Sequence, residues 1–300
     1  MVVAGMAGRR PFCYDCQPLL KLDFLVIFDL HCHSTASDGV LTPAALVARA
    51  HVQGVDVLSL TDHDDLRGQA DAARTARALG LHYVAGVEIS VTWSGHTLHV
   101  VGLGIDPDHP ALLAGLAANR AGRAERARQI ADALARLGIA GALEGAYALA
   151  VNKDLIGRTH FARFLVEEGH VKDVKTVFKK YLVKGKPGYV HHEWASLSQA
   201  VEWIHAAGGQ AVLAHPGRCN FGREKMRALL GEFRALGGEA IEVVTGSHTA
   251  EQVPIYAELA DEFGLYASCG SDFHAPGEGG RELGRLMPLP AICRPLWATW

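Results

Sequence analysis

Residues 24–39 read FLVIFDLHCHSTASDG. The nearly continuous apolar run at its start is the pattern of a strand buried on both faces. The run ends in His31 and His33, and a Ser/Thr stretch then leads to Asp38 before Gly39. Side chains two apart on a strand point the same way, so the two imidazoles converge. Cys32, between them, is expected to point into the wall of the fold and not to ligate. The pair becomes a site only if other segments bring partners to it.

Six more runs have the same character: VDVLSLTDH (55–63), HYVAGVEIS (82–90), TLHVVGLG (97–104), GQAVLAHPG (209–217), AIEVVTG (240–246) and LYASCGSDFH (265–274). Helical patterns with clear punctuation lie between them. Thr42-Pro43 supplies an N-cap and a first-turn proline, and Gly54 stops that helix. Ser196 and Gln199 make a capping box ahead of a Leu197, Val201, Ile204 stripe. Thr249 and Gln252 repeat the pattern, and Gly264 closes that helix. Repeated strand–helix units imply a parallel sheet, and seven strands imply an α/β barrel of the (β/α)7, TIM-like kind.

Residues 108–190 interrupt this rhythm, with no strand pattern before PGYV at their end. LLAGLAANRAGRAERARQIADALARLG is expected to form one long amphipathic helix, and GRTHFARFLVEEGH and VKTVFKKYLVKG two more. The chain thus divides into a catalytic barrel, 23–107 and 191–300, and a helical insertion, 108–190, between the fourth and fifth strands. The insertion carries Arg120, Arg123, Arg126, Arg128, Arg158, Lys172, Lys175, Lys179, Lys180, Lys184 and Lys186. These form a solvated helix surface, or a few of them face an anionic substrate.

The chain has 300 residues, 49% hydrophobic and 20% charged, as expected for a globular domain with room for an insertion. A net charge of −3 gives no global field favouring nucleic acid, and no apolar run is long enough to span a membrane. Cys13 and Cys16 form the one C-x-x-C, without a second pair to complete a zinc site. Free thiols and a cytoplasmic location are expected. Residues 1–22 resemble a signal peptide poorly and are expected to be a disordered extension or an overlong start of the reading frame.

The ends of the apolar runs share a chemistry. The first ends in His31 and His33, the second in Asp62-His63-Asp64, the third in Glu88, the fifth in His215, and the seventh in Asp272 and His274. The fourth carries His99. In a parallel barrel these strand ends lie on the face where active sites are built. Singly, each could be a hydrogen-bonded core residue or, for Asp62 and Asp64, a helix cap. Together they crowd ionisable groups onto one rim, and unpaired buried charge is costly. A cation is therefore required. Imidazole and carboxylate ligands without thiolate suit Mn, Fe or Zn, and more than four ligands imply more than one metal. Such a site converts bound water to hydroxide near neutral pH and clamps phosphoryl oxygens during in-line attack on phosphorus. Metal-assisted hydrolysis is the leading reaction class.

DLHCHSTASDG, LSLTDHD, GVEIS, LAHPGR and GSDFHAP, in this order, resemble the successive motifs of the polymerase and histidinol phosphatase (PHP) superfamily. The resemblance covers residues 28–104 and 209–276 and implies a distorted seven-stranded β/α barrel holding two or three divalent metals, with Mn²⁺ the first choice and Fe²⁺ or Zn²⁺ next. It implies nine ligands: His31, His33, Asp38, His63, Glu88, His99, His215, Asp272 and His274. In the division it suggests, Glu88 bridges two metals. The first also takes His31, His33 and Asp272, and the second His99 and His215. Asp38, His63 and His274 hold a third.

The insertion resembles that of PHP phosphoesterases related to 3′,5′-nucleoside bisphosphate phosphatases. Their GR-x-H-hydrophobic-A motif is matched by Gly157, Arg158, His160 and Ala162, although Thr159 stands where the family usually has Pro. The resemblance implies a nucleotide carrying a 3′-phosphate, or the 5′ end of short RNA, as substrate, with no obligate protein partner. Arg158 would hold phosphate, since its fork matches phosphate oxygens. His160 would support it or protonate the leaving oxygen. Arg218 and His248 are further substrate contacts, with Tyr189, His191 and His192 weaker candidates. A phosphatase for histidinol phosphate or another small monoester is the alternative enzyme, for which a compact barrel would suffice. An inactive interaction module would be expected to lose ligands, and metal storage to close its coordination sites.

Overall fold

The computed structural model describes residues 26–278 and 281–300; the expected N-terminal extension and the Cys13–Cys16 pair lie outside them. β1 (Phe28–Asp29), β2 (Val57–Leu58) and β3 (His82–Tyr83) form a parallel three-stranded sheet, with α1 (Pro43–Val52) and α2 (Gln69–Leu79) as its crossovers. β4 (Gly86–Trp93), β5 (His96–Leu103), β6 (Ala195–Ser196), β7 (Gln210–Leu213), β8 (Ala240–Thr245) and β9 (Tyr266–Gly270) form a six-stranded sheet in the order β6-β4-β5-β7-β8-β9.

The class is α/β, as expected, but there are two sheets rather than a closed seven-stranded barrel. The run 82–90 is split between them, and β5 is antiparallel to both β4 and β7. The cause is local. Ser94 and Gly95 join β4 to β5 with φ of 49° and 69°, the left-handed pair of a two-residue hairpin turn. So short a link leaves no room for a helical crossover. The sheets meet through isolated contacts: Leu30 N donates to Cys269 O (3.1 Å), His33 N to Phe273 O (2.9 Å) and Asp64 N to Glu88 O (2.8 Å). Below them Leu30, Val57, Val101, Leu103, Val212 and Ala240, drawn from both sheets, form one buried cluster. Both seams therefore lie at residues expected to bind metal.

Between β5 and β6 the described residues contain no strand, as expected. They form α3 (Pro110–Ala121), α4 (Arg123–Ala135), α5 (Ala142–Leu149), α6 (Arg158–Glu167), α7 (Val174–Val177) and a wide turn at Phe178–Leu182. The single long helix expected here is two helices. It breaks at Gly122, where a Cβ would come within 2.3 Å of the His192 ring. Leu112 and Leu116 of α3 pack in the main core, whereas Ile130, Leu134, Phe161, Leu165, Val177 and Leu182 form a core of their own.

The helices beyond are α8 (Leu197–Ala206), α9 (Arg223–Ala235) and α10 (Gln252–Glu262). The expected capping box is present: Gln199 N donates to Ser196 Oγ (3.2 Å) and Ser196 N to Gln199 Oε1 (2.9 Å). Leu197, Val201 and Ile204 are buried against the six-stranded sheet. Thr42 caps α1 through Ala45 N (3.2 Å), and Gly54 and Gly264 follow α1 and α10 at positive φ.

Candidate metal centre

His31 and His33 leave β1 where the two sheets meet, and their rings turn toward the end of β4. Cys32 turns away, as expected, and its thiol donates to Ser59 O (3.2 Å) beneath α1 and α2. Glu88, fully buried on β4, is the centre of the cluster. Its Oε1 lies 2.8 Å from His99 Nδ1 and 2.9 Å from His215 Nε2. Its Oε2 lies 2.8 Å from His63 Nδ1 and 3.4 Å from Nε2 of both His31 and His33. Asp272 Oδ1 is 3.2 Å from His33 Nε2, and Asp38 Oδ1 is 3.3 Å from His274 Nε2. All nine expected ligands fall into overlapping groups of metal-binding geometry. These are His33, Asp38, His63 and His274; His31, His33 and Asp272; His31, Glu88 and His215; and His63, Glu88 and His99.

The donor set fits divalent ions. His33 Nδ1, Asp38 Oδ1, His63 Nδ1 and Glu88 Oε2 are buried without a hydrogen-bond partner among the described residues, a cost that a cation would remove. Burial opposes ionisation of Glu88, but the imidazoles of His99, His63 and His31 outweigh it and hold the carboxyl well below its usual range. Asp38 and Asp272 are held low in the same way by neighbouring histidines. Burial pushes His33 down to about 3 and His99 to about 4, leaving neutral imidazoles with lone pairs to offer. Three others go the opposite way although burial lowers them: Glu242 and Glu88 raise His31 well above its usual value, Glu88 and Asp38 raise His63, and Asp38 and then Asp272 raise His274 to about 9.

Sequence reasoning missed Glu242. Its Oε1 accepts a hydrogen bond from His31 Nδ1 (2.6 Å), and its Oε2 accepts from His215 N (2.7 Å). The first bond places the His31 proton on Nδ1 and frees Nε2 for a metal. The second helps hold His215 at φ 28°, in the strained left-handed region shared by Asp272 (φ 54°) and Asp64 (φ 46°). A signal was present: Glu242 is the one carboxylate inside the otherwise apolar run AIEVVTG. Glu242→Gln is expected to lower metal affinity about 10- to 100-fold, measured by titrating metal-stripped protein with Mn²⁺. Wild-type affinity in that variant would remove Glu242 from the site.

Neither Asp62 nor Asp64 caps a helix. Asp62 accepts from Ser34 N (2.7 Å), Ser34 Oγ (2.7 Å) and Ser37 Oγ (2.5 Å), tying down the loop that carries Asp38. Asp64 accepts from Ser90 N and Ser90 Oγ (both 2.8 Å), from Asn119 Nδ2 (3.1 Å) and from Arg123, fastening β4 to the insertion helices.

A solvent-open cleft lies over the cluster. Its lining combines Asp38, His63, His99 and His274 of the cluster with Arg123, Arg126, Arg158 and Phe178 of the insertion, and with Trp194 and Arg218. The Arg123 and Arg126 guanidiniums lie 4.7 and 5.2 Å from the Trp194 ring centroid. Arg126 and Arg158 have only backbone carbonyls, Val190 O and Leu182 O, as hydrogen-bond acceptors among the described residues. Burial, then Arg158 and Arg123, pushes Arg126 down to about 9; burial, then Arg218, pushes Arg158 to about 10. Both stay charged at neutral pH. Of the basic residues in the insertion, these arginines reach the cleft, while Arg128 pairs with Glu125 on the surface.

Other expected site residues fall differently. Arg218 lines the cleft and its Nη1 donates to Asp272 Oδ2 (2.8 Å). His160 is buried at the start of α6, outside the cleft lining, and its Nδ1 accepts from Gly157 N (3.2 Å). His248 also lies off the lining. Its Nε2 accepts from Gly217 N (2.9 Å), in the turn after His215, and its Nδ1 donates to Val243 O of β8 (3.0 Å), so the ring ties that turn to the strand. His191 pairs with Glu193, His192 packs edge-on against Trp194, and Tyr189 is off the lining.

The PHP domain family model matches residues 29–213. The 3′,5′-nucleoside bisphosphate phosphatase of Chromobacterium violaceum is 55% identical over 269 residues, 90% of this chain and 94% of that protein. The 5′-3′ exoribonuclease Rnm of Escherichia coli is 45% identical over 280 residues, 93% and 95% of the two chains. The structure of an amidohydrolase from Chromobacterium violaceum, with bound sulfate and no metal, superposes with a TM-score of 0.87 at 53% identity, covering 90% of this chain and 94% of that one.

Proposed function

The chain belongs to the PHP domain family, and on that premise we propose that it is a metal-dependent phosphoesterase that removes the 3′-phosphate of nucleoside 3′,5′-bisphosphates and also trims short RNA from its 5′ end. One observation carries this: a single cleft is lined both by residues of the nine-residue cluster and by two arginines without carboxylate partners among the described residues, Arg126 and Arg158. A substrate bearing two phosphates can use both.

Divalent ions held by His31, His33, Asp38, His63, Glu88, His99, His215, Asp272 and His274, Mn²⁺ by preference and up to three in number, would lower the pKa of water and offset charge on the phosphoryl oxygens. The protein's own groups orient the substrate. Arg158 presents a planar fork to phosphate oxygens, and Arg126 and Arg218 add charge beside it. His160, lowered to about 4 by burial, is neutral at pH 7. With Nδ1 accepting from Gly157 N, its proton sits on Nε2. It sets the start of α6, hence Arg158, and can donate a hydrogen bond; a neutral imidazole is a weak acid, so protonating the leaving oxygen is the lesser role. His248 positions the His215 turn. In this scheme the helical segment 108–190 is the substrate-binding part, and it meets the first nucleotide through Arg126 and Arg158. Cys32, Cys219, Cys269 and Cys293 are free thiols, which supports the cytoplasm as the site of action; no helix among the described residues is long and apolar enough to cross a membrane.

A phosphate-release panel with added Mn²⁺ tests this. Adenosine 3′,5′-bisphosphate is expected to turn over faster than histidinol phosphate or 5′-AMP, and short 5′-phosphorylated RNA to release mononucleotides. Faster turnover of histidinol phosphate would replace the proposal with the small-monoester reading.

A further inference from the structure

In the functional reading the cleft takes the first nucleotide. An RNA substrate brings the rest of its chain, which must leave the cleft and lie on some surface. The same bond breaks in both substrates. Water oxygen adds to the 3′ phosphorus, the P–O3′ bond breaks, and the proton goes to O3′. A bisphosphate then yields inorganic phosphate and a nucleoside 5′-phosphate. A polynucleotide, whose 3′ phosphorus continues into the next residue, yields a nucleoside 5′-phosphate and a chain shorter by one with a new 5′-phosphate.

The segment 172–186 is a strongly charged surface that starts at the cleft. It carries Lys172, Lys175, Lys179, Lys180, Lys184 and Lys186, all exposed, against one acidic residue, Asp173. The Asp173 carboxylate is occupied at the N-terminus of α7, accepting from Thr176 N (2.7 Å). None of the six lysines has a carboxylate partner among the salt bridges of the described residues. The segment is tied to the cleft at two points. Phe178 lines the cleft and opens the wide turn that carries Lys179 and Lys180. Lys184 Nζ donates to Gly95 O (3.0 Å), at the tip of the β4–β5 hairpin whose Thr97 also lines the cleft. Aromatic rings are interleaved with the charges, with Lys180 Nζ 4.9 Å from the Tyr181 centroid. Exposed lysines on a segment that starts at the cleft match a single-stranded polynucleotide, whose phosphates repeat along the chain. With the whole chain at −3, this is a local feature and not a consequence of general basicity.

We propose that the lysine-rich face of residues 172–186 is the track for the single-stranded polynucleotide that follows the scissile linkage, separate from the site that holds the first nucleotide. The proposal rests on the RNA-trimming part of the functional reading. The test measures binding of a six-nucleotide 5′-phosphorylated RNA, labelled at its 3′ end, to the full chain in chelator, so that binding is read without turnover. Changing Lys179, Lys180, Lys184 and Lys186 together to Ala is expected to weaken binding roughly tenfold or more at low salt and to reduce the log–log salt slope by about 0.7 for each phosphate no longer neutralised. The matching Lys→Arg variant is expected to bind like wild type, and Mn²⁺-supported hydrolysis of adenosine 3′,5′-bisphosphate to stay within about twofold in both, since a rim charge acts chiefly on the longer ligand. Unchanged RNA affinity and slope in the Ala variant would overturn the track. So would a parallel loss of bisphosphate hydrolysis, or lysine-dependent binding to phosphatidylserine vesicles without RNA binding. Lysine-dependent RNA binding by a protein that hydrolyses neither substrate would sustain the track and overturn the functional reading instead.

Discussion

Glu88→Gln is expected to lose most of its bound metal and to release phosphate at least about 10³-fold more slowly than wild type, the upper end of the loss when one oxyanion-stabilising group is removed. Five imidazoles face this carboxylate, those of His31, His33, His63, His99 and His215, at 2.8 to 3.4 Å. The amide keeps the volume, so the buried packing around β4 should survive. It removes the negative charge that draws cations in, and it turns an NH₂ donor toward ring nitrogens that need to present lone pairs. Metal content by elemental analysis, phosphate release with added Mn²⁺ and circular dichroism together read the outcome. Full metal loading would remove Glu88 from the centre. In wild type, chelation is expected to abolish activity and Mn²⁺ to restore it; turnover persisting in verified metal-free protein would end the metal-dependent account. His31→Ala is expected to lower metal content as well, and retention of full loading there would break the proposed ligand set.

Arg158→Ala is expected to lower kcat/KM for adenosine 3′,5′-bisphosphate by about 10²- to 10³-fold, the scale of losing one oriented charged donor, with metal content unchanged. The separation of effects follows from position. Arg158 comes from the insertion, at the start of α6, where its Nη1 donates to Leu182 O (3.2 Å), and the residues grouped to hold a metal come from other segments. Its ring neighbour Phe178, 5.6 Å from the guanidinium carbon, limits where the fork can point. Lysine at this position keeps the charge but loses the fork and should restore activity only in part. Kinetics equal to wild type in the Ala variant would exclude a phosphate role, and loss of metal would mean that the residue supports the fold.

Much of the centre was legible because its signals are local. Each proposed ligand except Asp38 is a polar residue in or at the end of an apolar run, and the i, i+2 spacing of His31/His33 and Asp272/His274 is a strand property. Asp38 was the least obvious, a turn residue before Gly39, and it stands 3.3 Å from His274 Nε2. The hairpin that splits the sheet was also legible, since Ser94-Gly95 is a turn dipeptide in a link too short for a helix. The expected seven-fold repeat was drawn over it. Glu242 is less legible because it acts on the centre through His31 and the His215 backbone and not as one of the grouped donors. His160 and His248 show the reverse case. An imidazole near a site in sequence is not thereby in the site, because backbone N–H groups at a helix start or a tight turn also need acceptors.

By itself the sequence determined the chemistry of the centre. Histidines and carboxylates gathered at run ends, with no thiolate among the nine, suit a hard or borderline cation whatever the exact sheet geometry. It also determined that a helical segment lies between the fourth and fifth runs, through periodicity and punctuation alone. Only the tertiary structure decided which of the many basic residues of that segment matter. Arg123, Arg126 and Arg158 are indistinguishable from Arg128 in a list of charges. What separates them is the fold of α4 and α6 back over the strand ends, which brings three guanidiniums to the cleft beside the cluster and leaves Arg128 on the surface with Glu125. Spacing along a helix says which residues share a face, but which face meets the site is set by packing between segments far apart in the chain.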